Sequence, residues 1–194
     1  ENAARYGTRA TVQARRDARD IVVTIDDAID GNRLPAAQSA QTTLVYYPTV
    51  PTAALLAWQG PRKTAYSRSP MYQQLRQTLP KGVLHSGGSV IHPTVDLAVQ
   101  MGCHQVILLG TDFAFPGELT HSGWADGALG PSAALALSWA LDGHGRRVKT
   151  NPNFSAYRTE LERYIARHPE VQFWNCSREG AEIAGCRYHP EYVQ

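Results

Sequence analysis

Short apolar runs alternate along this chain with segments of helical spacing. Ile21 to Ile25 and Val106 to Leu109 are continuous runs that stop at polar residues, Asp26-Asp27 in one case and Gly110-Thr111-Asp112 in the other. Strands buried on both faces of a parallel sheet read this way. Leu44 to Tyr47, closed by Pro48, predicts another, and Lys63 to Tyr66, Val83 to His85 and Val171 to Trp174 predict three more. Between them, Thr52 to Trp58 predicts a short helix. Met71, Leu75 and Leu79 space out a further helix, which Pro80 and Gly82 stop. Pro93 lacks an N–H and is tolerated only in a helix's first turn, so the next helix begins near Ser89 to His92. Its apolar stripe is Ile91, Val95, Ala98 and Met101, and Gly102 ends it.

Phe113 to Lys149 is long and rich in glycine and aromatics. It reads as a lid-like loop with one helix predicted from Ser132 to Leu141. Asn151-Pro152 then reads as an N-cap followed by a first-position proline, opening a helix through Phe154, Tyr157, Leu161 and Ile165. Glu1 to Asp20 is polar, with weak helical spacing, and predicts a helix or frayed lead-in. The alternation as a whole predicts an α/β fold, a mainly parallel sheet with helices on both faces and a long lid-like loop after the strand ending at Asp112.

Composition changes this picture little. The 194 residues, 43% hydrophobic, suit one domain over residues 1–194. A net charge of +2, with scattered basic residues, does not indicate nucleic-acid binding. Three cysteines without C-x-x-C spacing point to a reduced, cytoplasmic protein. No apolar run approaches the roughly 20 residues of a membrane span, and no signal-peptide pattern is visible.

In a parallel sheet, ligands sit at the carboxyl ends of the strands. Three such ends carry candidate chemistry. Ser86-Gly87-Gly88-Ser89 offers backbone N–H groups and hydroxyls at a helix N-terminus, a setting for phosphate. Without a ligand, the same glycines simply permit a tight turn. Asp112 could accept a ribose or base donor, bind a metal, or cap a turn. Asn175, Ser177 and Glu179 could bind substrate or build an anion nest with Gly180. In the lid, His121 is a candidate base near neutral pH, with His92 its competitor or else a helix-surface residue. Asp26 and Asp27 could form a metal-binding pair or cap a helix. Neither a Ser-His-Asp order nor zinc spacing is found among the seven histidines and three cysteines.

Several stretches together are more specific. Gly87-Gly88-Ser89-Val90, Asp96-Leu97-Ala98, Gly102-Cys103, Val106 through Phe115, Thr120-His121, Val148-Lys149-Thr150-Asn151 and Asn175 through Cys186 closely resemble the central motif of the motility-associated-factor glycosyltransferases. That family is grouped with archaeal 6-hydroxymethylpterin diphosphokinase. Ser86 to Asp112 is more distantly similar to the CMP-sialic acid segment of bacterial sialyltransferases.

The resemblance implies a Rossmann-like transferase domain that moves a nonulosonic sugar from a CMP donor to a protein hydroxyl, such as Ser or Thr of flagellin. It implies no metal or other cofactor. On the diphosphokinase alternative the enzyme uses ATP, with Mg²⁺ held by Asp112 and Asp26 or Asp27. A third reading is a non-catalytic nucleotide-sugar-fold binding module. By the resemblance, Ser86, Gly87, Gly88 and Ser89 meet the donor phosphate and ribose, and Gly110, Thr111 and Asp112 border the nucleoside. Asp112 and His121 are the catalytic candidates. Thr120, Lys149, Thr150, Asn151, Asn175, Ser177 and Glu179 surround the substrate. Two features depart from the family. Its N-terminal Gly-Pro-Ser turn has no match, so the chain is expected to be a fragment or to carry an incomplete site. Arg178 stands where family members often have a small residue or an acid.

Overall fold

The computed structural model describes residues 10–16, 19–25, 43–119 and 131–188. Parallel pairing builds its centre. Strand β6 (Gln105–Leu109) lies parallel to β9 (Gln172–Asn175), and β9 to β10 (Cys186–Tyr188). On the other side of β6 an antiparallel ribbon of β1 (Ala10–Arg16) and β2 (Arg19–Ile25) completes five strands in the order β10-β9-β6-β1-β2. A second parallel sheet joins β3 (Leu44–Tyr46), β4 (Arg62–Ser67) and β5 (Gly82–Leu84). Helices α1 (Thr52–Ala57), α2 (Gln73–Thr78), α3 (Ile91–Gln100) and α4 (Pro152–Ala166) connect the strands, giving the Rossmann-like α/β architecture expected. No helix among the described residues is long and apolar enough to cross a membrane.

The two long helices start and stop where their sequences dictate. Pro93 occupies the first turn of α3. Gly102, at φ 86°, closes the helix in a Schellman arrangement, with Gly102 N–H donating to Val99 O at 2.9 Å and Cys103 N–H to Ala98 O at 3.1 Å. Asn151 caps α4, its Oδ1 accepting from Phe154 N–H at 2.8 Å, and Pro152 follows. Asn151→Ala should lower unfolding free energy by about 1 kcal/mol, read as a shift in thermal midpoint.

The core gathers α3 (Ile91, Val95, Ala98), β6 (Val106, Leu108), α4 (Leu161, Tyr164, Ile165) and Phe173 of β9. Val95, Leu108 and Leu161 are wholly buried, each contributing roughly 1.5–3 kcal/mol relative to exposure. Leu44, Ala54 and Trp58 form a smaller cluster under β3 and α1.

Two expectations are corrected. The predicted helix over Ser132 to Leu141 is a 3₁₀ turn (Ala133–Leu135) followed by strand β7 (Ser138–Leu141), which pairs antiparallel with β8 (Arg147–Thr150). The run alternates: Leu135, Leu137, Trp139 and Leu141 are exposed while Ser138 and Ala140 are half-buried, a period of two that pairing with β8 rewards. The lid-like segment therefore carries a hairpin. Residues 10–16, expected to be helix or lead-in, form β1, because Thr11 to Gln13 pair with Ile107 to Leu109.

Candidate functional site

The parallel register of β6 and β9 places Leu108 opposite Asn175, so the two strands deliver their following residues side by side. Cys176 N–H extends the ladder to Leu108 O at 3.0 Å. Beyond it, Ser177 Oγ donates to Asp112 Oδ1. Ala181 N–H holds the Asp112 carbonyl at 2.7 Å, and Gly180 lies against the Asp112 main chain. Asp112 is thus fixed from both ends by the loop after β9.

Immediately after Asp112 the backbone enters a region few non-glycine residues adopt, with Phe113 at φ 46°. Thr150 Oγ1 donates to Phe113 O at 2.8 Å and Phe115 N–H to Lys149 O at 2.8 Å, which secures the bend. Strain held in place next to a strand-end carboxylate is typical of functional loops.

Other expected site residues have structural partners. Asn175 is buried and its Oδ1 accepts from Ser177 N–H at 3.1 Å. Thr111 is buried, Gly110 has φ 66°, and Lys149 pairs with Glu118 at 2.6 Å. Glu179, exposed, pairs with Arg146 at 2.6 Å and His144 at 3.2 Å. Arg146 also holds Asp142 at 2.9 Å. Burial works against ionisation of Asp142, but the N–H groups of Arg146 and His144 and the Arg146 guanidinium prevail and hold its carboxyl below the usual range. Arg178 donates twice to Gly143 O, at 2.7 and 3.1 Å, and stands 4.8 Å over the Tyr188 ring. It clasps the β7-β8 turn to the β9 loop. Thr120, His121, Asp26 and Asp27 lie outside the described residues.

The Ser86–Ser89 turn follows β5 and leads into α3. Its glycines are demanded by close approach to α4: a Cβ on Gly87 would stand 2.6 Å from Glu160 Cγ, and one on Gly88, at φ 92°, 2.5 Å from the Tyr157 ring. Ser86 is exposed and Ser89 half-buried. His92 is neither a surface residue nor free to act as a base. It is 1% exposed, with Nε2 3.0 Å from Tyr157 O and Nδ1 3.2 Å from Ser89 N, so its ring fastens the turn to α4. The α4 helix links this turn to the Asp112 loop, since Thr150, the last residue of β8 and next to the α4 cap Asn151, donates to Phe113 O.

Sequence reading missed the polar cluster behind the turn. Asp96, buried in α3, accepts from His85 N–H at 2.7 Å, Tyr164 Oη–H at 2.8 Å and Gln100 Nε2 at 2.7 Å. Burial, reinforced by that bond to Asp96, pushes the Tyr164 phenol far above its usual range. The available signal was an acid inside an apolar helix, four residues before a glutamine.

A model of the family described as 6-hydroxymethylpterin diphosphokinase MptE-like matches residues 18–118. Among solved structures, the chain is similar to the MAf glycosyltransferase from Magnetospirillum magneticum AMB-1, with a TM-score of 0.59 and 18% identity. The match covers 79% of this chain and 23% of that one. At such identity the likeness is one of fold. No curated protein matches the chain.

Proposed function

The chain belongs to the 6-hydroxymethylpterin diphosphokinase MptE-like family, and from its fold and site we propose that it is a transferase domain acting on a nucleotide-activated sugar. The donor is a CMP-linked nonulosonic acid and the acceptor a protein hydroxyl, such as Ser or Thr of flagellin. The observation that carries this reading is the Asp112–Ser177 pair at the neighbouring carboxyl ends of β6 and β9, where an α/β fold holds a nucleotide. The fold shared with a MAf glycosyltransferase supports it.

In this reading the acceptor oxygen attacks the anomeric carbon as the bond from that carbon to the CMP phosphate oxygen breaks. The acceptor proton passes to His121 or a neighbouring carboxylate. Charge developing on the leaving phosphate meets the start of α3 and the N–H groups of the Ser86–Ser89 turn other than that of Ser89, which donates to His92 Nδ1. Asp112, oriented by Ser177, accepts donors of the nucleoside.

Calorimetric titration with CMP, ADP and ATP, with and without EDTA, tests the reading. CMP should bind without a divalent cation, and Asp112→Asn should weaken it by about tenfold or more. The family match favours one alternative, an ATP-dependent diphosphokinase. That enzyme would use Mg²⁺ on ATP, with Asp112 among its ligands. Its other expected ligands, Asp26 and Asp27, lie outside the described residues. Binding of ATP only with Mg²⁺, and none of CMP, would reverse the order of the two readings.

A further inference from the structure

His85 follows β5 and directly precedes the Ser86–Ser89 turn, yet its side chain has no part in the chemistry above. The residue is 8% exposed, its ring packed against Tyr164 at 5.2 Å and edge-on to His92 at 5.9 Å. Its Nε2 is buried without a satisfied hydrogen bond, although Glu160 Oε1 is only 3.2 Å away. The Glu160 stem passes directly beneath Gly87. A carboxylate therefore sits under a turn whose N–H groups suit an anion.

We propose that His85 and Glu160 form a proton-linked pair beneath the Ser86–Ser89 turn, so that the turn takes up an anion together with a proton on His85. With His85 neutral, the Glu160 carboxylate opposes an arriving anion; among the described residues Arg163 at 3.5 Å and Arg167 at 3.8 Å, both more than half exposed, pair with it. With His85 protonated, Nε2–H becomes a charge-assisted donor to Glu160, and the group beneath the turn gains a positive charge toward the anion. By linkage, whatever favours the anion favours the proton, and the reverse.

The groups facing His85 from each packed element decide where this occurs. Burial lowers the readiness of its imidazole to protonate below the ordinary value of 6.5; Glu160 on α4 pulls it back, His92 on α3 and Arg167 just past the end of α4 push it down, and Asp96 on α3 pulls it up. Tyr47 Oη–H, 3.5 Å from the His85 carbonyl, stays neutral, its phenol raised by burial, by Asp96 and by Tyr72. The free turn thus keeps His85 neutral near neutral pH, and an anion reverses that. That the anion is the phosphate of a nucleotide-sugar rests on the proposed function; the coupling itself needs only an anion.

Two probes whose phosphate or sulfate charge is constant between about pH 5 and 8 separate these claims: sulfate and CMP-sialic acid, a phosphodiester. The His85 ring resonance of the full chain is titrated by NMR in sulfate and in chloride at equal ionic strength, with exposed His104 as the internal control. Sulfate should raise the His85 midpoint and leave that of His104 in place; an unmoved His85 overturns the inference. CMP-sialic acid should bind about five- to tenfold more tightly at the acidic end of the range. His85→Gln should flatten that profile, and Glu160→Gln should tighten binding at the alkaline end. If either variant fails to fold, the wild-type NMR titration decides. Binding that does not vary with pH rejects the coupling and leaves the proposed function standing. No CMP-sialic acid binding, alongside a sulfate-shifted His85, rejects the donor and keeps the coupling.

Discussion

Asp96→Ala is expected to lower the unfolding free energy by about 3–5 kcal/mol, one of the two largest effects of a single substitution here. Asp96 is 4% exposed and its carboxylate accepts three hydrogen bonds, from the His85 main chain, the Tyr164 hydroxyl and the Gln100 amide. Removing it orphans the two partners that are themselves buried, His85 N–H and Tyr164 Oη–H, at about 1–3 kcal/mol each, and leaves a cavity beside them. Gln100 is exposed, so water replaces its lost partner. Urea unfolding followed by circular dichroism measures the loss. Gln100→Ala is the control and should cost less than about 1 kcal/mol. A similar small loss for Asp96→Ala would mean that water enters and satisfies the freed donors. Because Asp96 fixes the residue that opens the Ser86–Ser89 turn, the variant should also weaken binding at that turn.

Elements set by local chemistry were legible in the chain. Pro93 and Gly102 bound α3, Asn151-Pro152 opened α4, and the unbroken run Val106 to Leu109 marked the central strand, because each signal acts within a few residues. Elements set by distant partners were not. Ala133 to Leu141 has the composition of a helix, and only its pairing with residues 147–150 makes Ser138–Leu141 a strand. Residues 10–16 look polar and helical until β6 is known to pair with them.

The same division runs through the candidate site. Ser86 to Ser89, Asp112 and Ser177 stood out because glycines, small hydroxyls and an acid followed apolar runs. That Ser177 reaches across to Asp112 depends on the register of β6 against β9, which single-chain spacing does not encode. His92 is the sharper case. Its place in the first turn of α3 suggested an exposed side chain, but α4 lies over that face, and the Tyr157 carbonyl, 65 residues away, claims its Nε2.

Gly180→Ala should both destabilise the fold, by about 2–4 kcal/mol, and weaken nucleotide binding by more than tenfold. The reason is space and not backbone conformation. A Cβ at this position would lie 2.6 Å from Asp112 Cα and 2.8 Å from its Cβ and carbonyl oxygen, contacts with two main-chain atoms and the Cβ fixed to them that no rotamer change relieves. Neither side can yield cheaply. Asp112 is held by Ala181 N–H and by Ser177 Oγ, while Ala181 is bridged to Asp142 of the hairpin. Moving the glycine loop away breaks these bonds, and moving Asp112 shifts the carboxylate proposed to meet the nucleoside. Gly82→Ala provides the contrast, since nothing lies within 4 Å of a Cβ there. It should be neutral or slightly stabilising through the lower entropy of the unfolded chain. Chemical denaturation and CMP titration of the two variants read the difference directly. Equal behaviour would show that the close approach of Gly180 to Asp112 does not set the geometry of the site.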